Sequence, residues 1–284
     1  NQALQELLFE ALSFCRLAEQ FDEHSLCDLE SQGKGSAVLG LRNVIPADFL
    51  APRFKRAHCT VLFSATLSPF YYYRDLLGLP ERSVWREVES PFVAQQLEVH
   101  VRSDISTRYH HRVASVPPIV ATLAAHYQHK PGHYLAFFSS FAYLEQVMNA
   151  FEQAHPEIPV FAQTRSMQEP EREAFLARFT PGGKGIGFAV LGGAFAEGID
   201  LPGERLIGAF VATLGLPPFN DFNEALKARL QARFGRGDDY TYRIPGMIKV
   251  IQAAGRVIRS PDDEGVVVFL AGRFGAALAS ALRP

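Results

Sequence analysis

From residue 97 onward the chain alternates short apolar runs with amphipathic stretches, and that alternation limits the folds open to it. "LEVHV", "HYLAFF", "IPVFA", "IGFAVL", "RLIGAFVA" and "GVVVFLA" read as strands, while residues 112–128, 141–154, 168–179, 221–234 and 246–259 carry helical periodicity. Strands without polar alternation are buried on both faces, so this pattern predicts an α/β architecture with a parallel sheet covered by helices on both sides. Ligands of such sheets sit beyond the carboxyl ends of the strands. Three polar clusters follow strand-like runs here, "SATLSP", "SSF" and "GGAFAEGID". Upstream, Leu4, Leu7, Leu8, Ala11, Leu12, Cys15 and Ala18 keep helical spacing, so residues 3–20 predict an amphipathic helix that needs a partner. "FDEHS" reads as solvated loop and a polar stretch follows around Ser31–Ser36; "AVLGLRNVI" reads as a strand, "CTVLFSATL" as a fully buried strand, and "YYYRDLLGL" as a short helix.

Composition bounds the function classes. With 48% hydrophobic and 20% charged residues and a net charge of -2, this is not a basic nucleic-acid coat, and any nucleic-acid contact is a local groove. No apolar run reaches transmembrane length, and "NQALQELLFEAL" lacks the pattern of a signal peptide, so a cytosolic protein without membrane contact is expected. Cys15, Cys27 and Cys59 lie far apart without a CxxC, which predicts reduced, structural thiols. A start at Asn1 in mid-helix suggests a piece of a longer chain.

The segment "KVIQAAGRVIRS" raises the sharpest chemical question. As a helix over 246–259 it would gather Val250, Ile251, Ala254, Val257 and Ile258 on one side and Gln252, Arg256 and Arg259 on the other. Two guanidiniums and an amide suit phosphate, and a plain solvated face fits this stretch as well. In "GGAFAEGID", Gly192 and Gly193 would let backbone N–H groups reach an anion. Glu197 and Asp200 would bind a ribose hydroxyl, a metal-bound water or the arginines; a glycine turn with two exposed acids is the alternative. Ser139 and Ser140 suit either a helix cap or a phosphate at a helix N-terminus. Ser64 and Thr66 could simply end a strand. His126, His129 and His133 are interrupted by Pro131 and Gly132, which argues against a metal site. "GKG" at 33–35 and 183–185 does not continue into Ser or Thr, so neither is a Walker A phosphate loop.

In this order, "VLFSATLSP", "YLAFFSSF", "VLGGAFAEGIDLPG" and "QAAGRVIRS" resemble motifs III to VI of the superfamily 2 helicases, specifically the DinG branch of the XPD-like DNA helicases, over about residues 41–274. The resemblance implies a RecA-like second motor domain at 69–284, preceded at 1–68 by the tail of an arch insertion and the motif III strand of the first motor domain. It implies an ATP-dependent DNA helicase moving 5′ to 3′, with ATP and Mg²⁺ held mostly by a first motor domain elsewhere in the full-length chain. Arg256 and Arg259 would reach the γ-phosphate with Gln252 beside them. Glu197, Gly198 and Asp200 would link nucleotide state to DNA grip; Ser139, Ser140 and Gly193 would touch single-stranded DNA; and Ser64 and Thr66 would couple the domains. The family's iron–sulfur cysteines belong to the first domain, and the three cysteines here do not match their clustered spacing. Where relatives often carry acids, this chain reads "AGRF" at 271–274. A DNA-holding or regulatory module without ATP turnover is the rival reading.

Overall fold

The computed structural model describes residues 2–33, 35–193, 195 and 200–274. The chain begins with α1 (Gln2–Glu19), β1 (Ser25–Gly33), β2 (Ser36–Asn43), α2 (Ala47–Arg56) and α3 (Phe70–Leu77). It continues with β3 (Leu97–Val101), α4 (Arg112–His129), β4 (His133–Phe138), α5 (Phe141–Ala154), β5 (Val160–Ala162) and α6 (Glu169–Ala177). The remaining elements are β6 (Gly185–Val190), β7 (Gly208–Val211), α7 (Asp221–Phe234), α8 (Ile244–Ala254) and β8 (Gly265–Phe269). They form two compact units, one of Asn1–Glu87 with Pro217–Ile244, the other of Val88–Leu216 with Pro245–Pro284.

The second unit holds a six-stranded sheet in the order β3-β8-β7-β4-β6-β5. Every pairing in it is parallel, as the alternating pattern predicts. The pleat sends successive side chains to opposite faces. Leu135 and Phe137 of β4 therefore join one core layer with Phe175 of α6 and Val250 of α8. Tyr134, Ala136 and Phe138 join the other, with Ile119 and Leu123 of α4 and Leu144 and Val147 of α5. Each large apolar side chain so buried contributes about 1.5–3 kcal/mol. Glycine at position 187 is a packing requirement, since a Cβ there would lie 2.8 Å from Phe179 Cζ.

The first unit departs furthest from the sequence reading. Residues 25–33, where no strand was expected, form β1, which pairs with β2 as an antiparallel hairpin. Its side chains beyond Leu26 are mostly exposed, so no apolar alternation marked it, and backbone pairing with the Asp28–Arg42 ion pair (2.8 Å) defines it instead. The turn places Gly33 and Gly35 at φ 76° and 79°, a region open to glycine. α2 had no counterpart in the expected elements. "CTVLFSATL" is not a buried strand: residues 59–64 are extended without strand pairing, with Val61 75% and Phe63 90% exposed. A doubly buried strand needs neighbours on both edges, and none of the described residues supplies them. α1 buries no residue, so its apolar stripe stays largely exposed. Cys15, Cys27 and Cys59 are free and exposed, which corrects the expectation that they are packed structural residues. No helix among the described residues is long and apolar enough to cross a membrane.

Candidate functional site

At the carboxyl end of the sheet, β4 finishes at Phe138 and the next two residues take different roles. Ser140 caps α5, its hydroxyl accepting a hydrogen bond from the Tyr143 N–H at 3.3 Å. Ser139 is exposed, and its Oγ accepts from Nη2 of Arg112 at 2.8 Å. The neighbouring strand β6 continues alongside, with Leu191 N–H donating to Phe138 O at 2.9 Å, which brings the Gly192–Gly193 turn next to Ser139. Gly192 has φ 80°, and a Cβ there would lie 3.1 Å from Cδ of Lys249 on α8. The Gly193 N–H donates to Val190 O at 3.1 Å, so the turn itself uses that donor. Gln163 steadies the turn from β5's side, its Oε1 accepting from Val190 N–H at 2.9 Å.

A cavity of about 370 Å³ opens at the same end, lined by Ser103, Arg108, Arg112, Ser139, Thr213 and Gly272 among others. Its acid is neutralised, because Asp104 accepts from Arg102 at 2.9 and 2.7 Å. Sequence reasoning missed Arg112 and Lys249. The signal for Arg112 was the run "RYHHR" at 108–112, aromatic and basic residues interleaved; Lys249 carried no signal beyond helical periodicity.

The arginine segment lies elsewhere. α8 stops at Ala254, so the expected helix over 246–259 is five residues too long, and Gln252 does not share a helical face with Arg256 and Arg259. Gly255 N–H closes the last turn onto Ile251 O at 2.8 Å, and Arg256 and Val257 N–H then make looser 3.3 Å bonds to Ala253 O and Ala254 O. Val257 and Ile258 remain buried after the helix ends, whereas Ile251 is only half-buried and belongs to neither core layer. The apolar periodicity thus reported burial and not continued helical hydrogen bonding.

Beyond the helix, Asp263 organises the chain. One carboxylate oxygen accepts from the N–H groups of Arg259 (2.7 Å) and Ser260 (2.9 Å). The other accepts from the Ser260 hydroxyl (2.6 Å) and the Gly203 N–H (3.2 Å). Burial alone would raise the pKa of Asp263, but these donors outweigh it and hold the group below the usual carboxylate range. Gln96, the residue before β3, donates to the carbonyls of Ser260, Pro261 and Asp263 at 2.8–3.1 Å. The arginine segment therefore sits near the amino ends of β3 and β8. Arg259 reaches back from it to Asp200, Nε to Oδ1 at 2.7 Å.

The structure therefore divides the loop "GGAFAEGID", which the sequence reading placed at one edge with "SSF". Ser139, Ser140 and Gly193 stand at the carboxyl end, whereas Asp200, Arg256 and Arg259 stand toward the amino end. The segment 191–206 joins them, with Phe195 and Leu201 buried in the same core layer as α8. Glu197 and Gly198 lie outside the described residues. Ser64 and Thr66 belong to the first unit, where the Ser64 Oγ accepts from the Thr66 N–H (3.2 Å) and the Tyr73 hydroxyl donates to Thr66 O (2.6 Å). On α8, Gln252 Oε1 is buried without a hydrogen-bond partner, an acceptor still open to a hydroxyl or a water. The guanidiniums of Arg256 and Arg259, in the segment that follows the helix, are donors of the kind that hold phosphate.

The family profile of the helicase C-terminal domain matches residues 123–282. Among curated relatives, the ATP-dependent DNA helicase XPD of Sulfolobus acidocaldarius is 25% identical over 223 residues, covering 75% of this chain and 39% of that protein. The XPD helicase subunit of the general transcription and DNA repair factor IIH from Arabidopsis thaliana is 26% identical over 255 residues, covering 79% of this chain and 32% of its own. The chain thus spans well under half the length of these relatives. Among solved structures, an apo XPD superposes with a TM-score of 0.72 at 18% identity, covering 99% of this chain and 57% of that one. An XPD helicase gives a TM-score of 0.68 at 22% identity, covering 86% of this chain and 44% of that one, and at such identity these two matches carry the fold. The match to the domain profile takes in more than half of the chain, from the middle of α4 past β8, and the chain belongs to the helicase C-terminal domain family.

Proposed function

We propose that residues 69–284 are the second motor domain of an ATP-dependent DNA helicase of the DinG branch, working with a first motor domain elsewhere in the full-length protein. The observation that carries this reading is the Arg259–Asp200 ion pair toward the amino end of a sheet whose carboxyl end presents hydroxyls and a basic cavity. In this reading ATP supplies the transferred phosphoryl group, and its magnesium ion is held mainly by the first domain. Arg256 and Arg259 hold positive charge where negative charge develops, and Gln252 Oε1 accepts a hydrogen bond from a hydroxyl or water. Asp200 holds the Arg259 guanidinium in place.

Single-stranded DNA lies across the carboxyl end, against Ser139, Ser140 and the Gly193 turn. The segment containing Glu197 and Gly198 connects that end to Asp200, a mechanical route from nucleotide state to DNA grip. Residues 1–68 contribute the tail of an arch insertion and a strand for the first domain's sheet, with Ser64 and Thr66 coupling the two domains. The exposed apolar side chains of Val61 and Phe63 favour that assignment, since a strand completing another sheet keeps its apolar residues. Movement is 5′ to 3′.

The test is steady-state ATP hydrolysis by the full-length protein, wild type and with Arg256→Ala, Arg259→Ala or Arg256→Lys, alongside thermal melts. Both alanine variants should lose most turnover and melt like wild type. The lysine variant should recover little, because an ammonium lacks the planar fork. Residues 1–284 on their own should not hydrolyse ATP. Strand-stimulated turnover by residues 1–284 alone, abolished by Arg256→Ala, would overturn the proposal.

A further inference from the structure

Arg112 is held in an unusual way. Its guanidinium lies 5.0 Å from the ring centre of Tyr143, which is buried, and 5.2 Å from that of Tyr109, which is 75% exposed. Nη2 donates to Ser139, while Nε is buried and has no hydrogen-bond partner. The backing is rigid: the Tyr143 hydroxyl is within 2.5 Å of Ser115 Oγ, and that hydroxyl in turn donates to Arg112 O at 2.6 Å. Pro117 and Pro118 lie in the second turn of α4 and have no N–H for the carbonyls of Val113 and Ala114, so the helix start is shaped by these side-chain bonds. A surface arginine serving only solubility needs none of this, and fixing a long side chain between two rings costs conformational entropy that an outside ligand would offset.

The surroundings specify the ligand. Arg112 and Ser139 line the cavity at the carboxyl end, Arg108 beside them forms no ion pair among the described residues, and Asp104 is already neutralised by Arg102. This is a site for an anion. Next to it, Tyr109 offers an exposed aromatic face, and stacking on aromatic rings with arginine support is the means by which proteins hold unpaired bases regardless of sequence.

We propose that Tyr109 and Arg112 form a one-nucleotide subsite for single-stranded nucleic acid, with a base stacked on Tyr109 and the adjoining phosphate held by Arg112 and the Ser139 hydroxyl. The inference rests on the reading of this end as the strand-binding end, and it adds a base contact to a surface otherwise offering backbone contacts alone. Because every base has a stacking face, the subsite senses the presence of a base and not its identity.

The experiment measures fluorescence anisotropy of the full-length protein with a labelled oligothymidylate and with the same oligomer made abasic throughout. Wild type should bind the abasic strand roughly tenfold more weakly, in line with stacking of about 1–3 kcal/mol per base. Tyr109→Ala should lose a similar factor on the normal strand and nothing further on the abasic one, and Tyr109→Phe should stay within about twofold of wild type because the ring is kept. Arg112→Ala should weaken both strands. Equal binding of the normal strand by wild type and Tyr109→Ala, or an equal loss on both strands, overturns the subsite while leaving the strand-binding reading standing. Failure of wild type to bind either strand overturns that reading and the subsite together. Tyr109 is exposed, so its replacements should melt like wild type.

Discussion

At the carboxyl end of the six-stranded sheet, Arg112 is held by two rings and a hydroxyl and still has an unmet donor. At the amino end, Asp263 spends both oxygens on four donors, and Arg259 is already paired with Asp200. The first arrangement leaves donors and hydroxyls exposed, which in the proposed reading would suit a strand moving across the surface. The second is closed around a fixed geometry, in which backbone and carboxylate position a guanidinium before any ligand arrives. Preorganisation of that kind suits charge that appears only in a transition state. Leu191 at one end and Leu201 and Leu206 toward the other are buried in the same core layer.

The largest effects should fall on turnover. Arg256→Ala and Arg259→Ala should each reduce ATP hydrolysis by the full-length protein by about 10³-fold or more, while oligothymidylate affinity stays within about threefold. Equal losses of turnover and strand affinity would erase the distinction between the two ends. Next, Asp263→Ala should cost about 3 kcal/mol in urea unfolding, since three backbone N–H groups and a hydroxyl lose their acceptor. Arg259→Ala should cost no more than about 1 kcal/mol, as its ion pair is largely exposed. If the two variants unfold alike, the amino end is not organised by Asp263. The Asp263 contribution is present above the ordinary carboxylate pKa and is lost as pH falls through its lowered folded value, in the window below 3.8.

A smaller change should appear in salt. Strand affinity should fall with ionic strength, and Arg112→Ala should make the log–log slope shallower by roughly 0.7, one phosphate's share on a single strand. An unchanged slope would mean that Arg112 touches no phosphate.

The smallest effect concerns His133, the first residue of β4, where both ring nitrogens are buried and burial depresses the pKa, outweighing an opposing interaction with the Gly185 backbone. The unfolded chain takes up a proton below the ordinary value of about 6.5 while the folded chain resists it. Stability should therefore be fully present above about pH 7 and decline as pH falls toward the folded value. His133→Leu should flatten that decline and leave the part due to His126, whose pKa burial also depresses. An identical pH profile for the variant would remove His133 from the account.

The sequence marked those elements whose formation follows from where apolar side chains fall. β4 and α5 appear at the expected residues, because an all-apolar run between turn residues and a capped amphipathic stretch each have one good solution; α7 also does, bounded by the Asn220 cap and by Gly235 in the left-handed region, though it buries only Leu230. Other features depend on partners distant in the chain. The hairpin β1–β2 is legible only in its cross-strand bonds, and residues 59–64 carry a strand's composition without a neighbour to pair with. The end of α8 was hidden because Val257 and Ile258 stay in the core by following a turn.

Among candidate site residues, the chemistry of the arginines and serines was readable by type, and Arg259 with Asp200 was among the pairings the sequence suggested. The placing of Asp200 at the end of the sheet opposite the Gly192–Gly193 turn of its own loop was not. A parallel strand and its returning connection run in opposite directions, so residues close in sequence to one loop are delivered to both ends. Side-chain type and local periodicity are local properties, which the sequence alone determines. Which end of the sheet each group reaches, and which carboxylate or ring meets it there, depends on chain reversal and packing over long separations, such as the 167 residues between Gln96 and Asp263, and only the tertiary structure decides it.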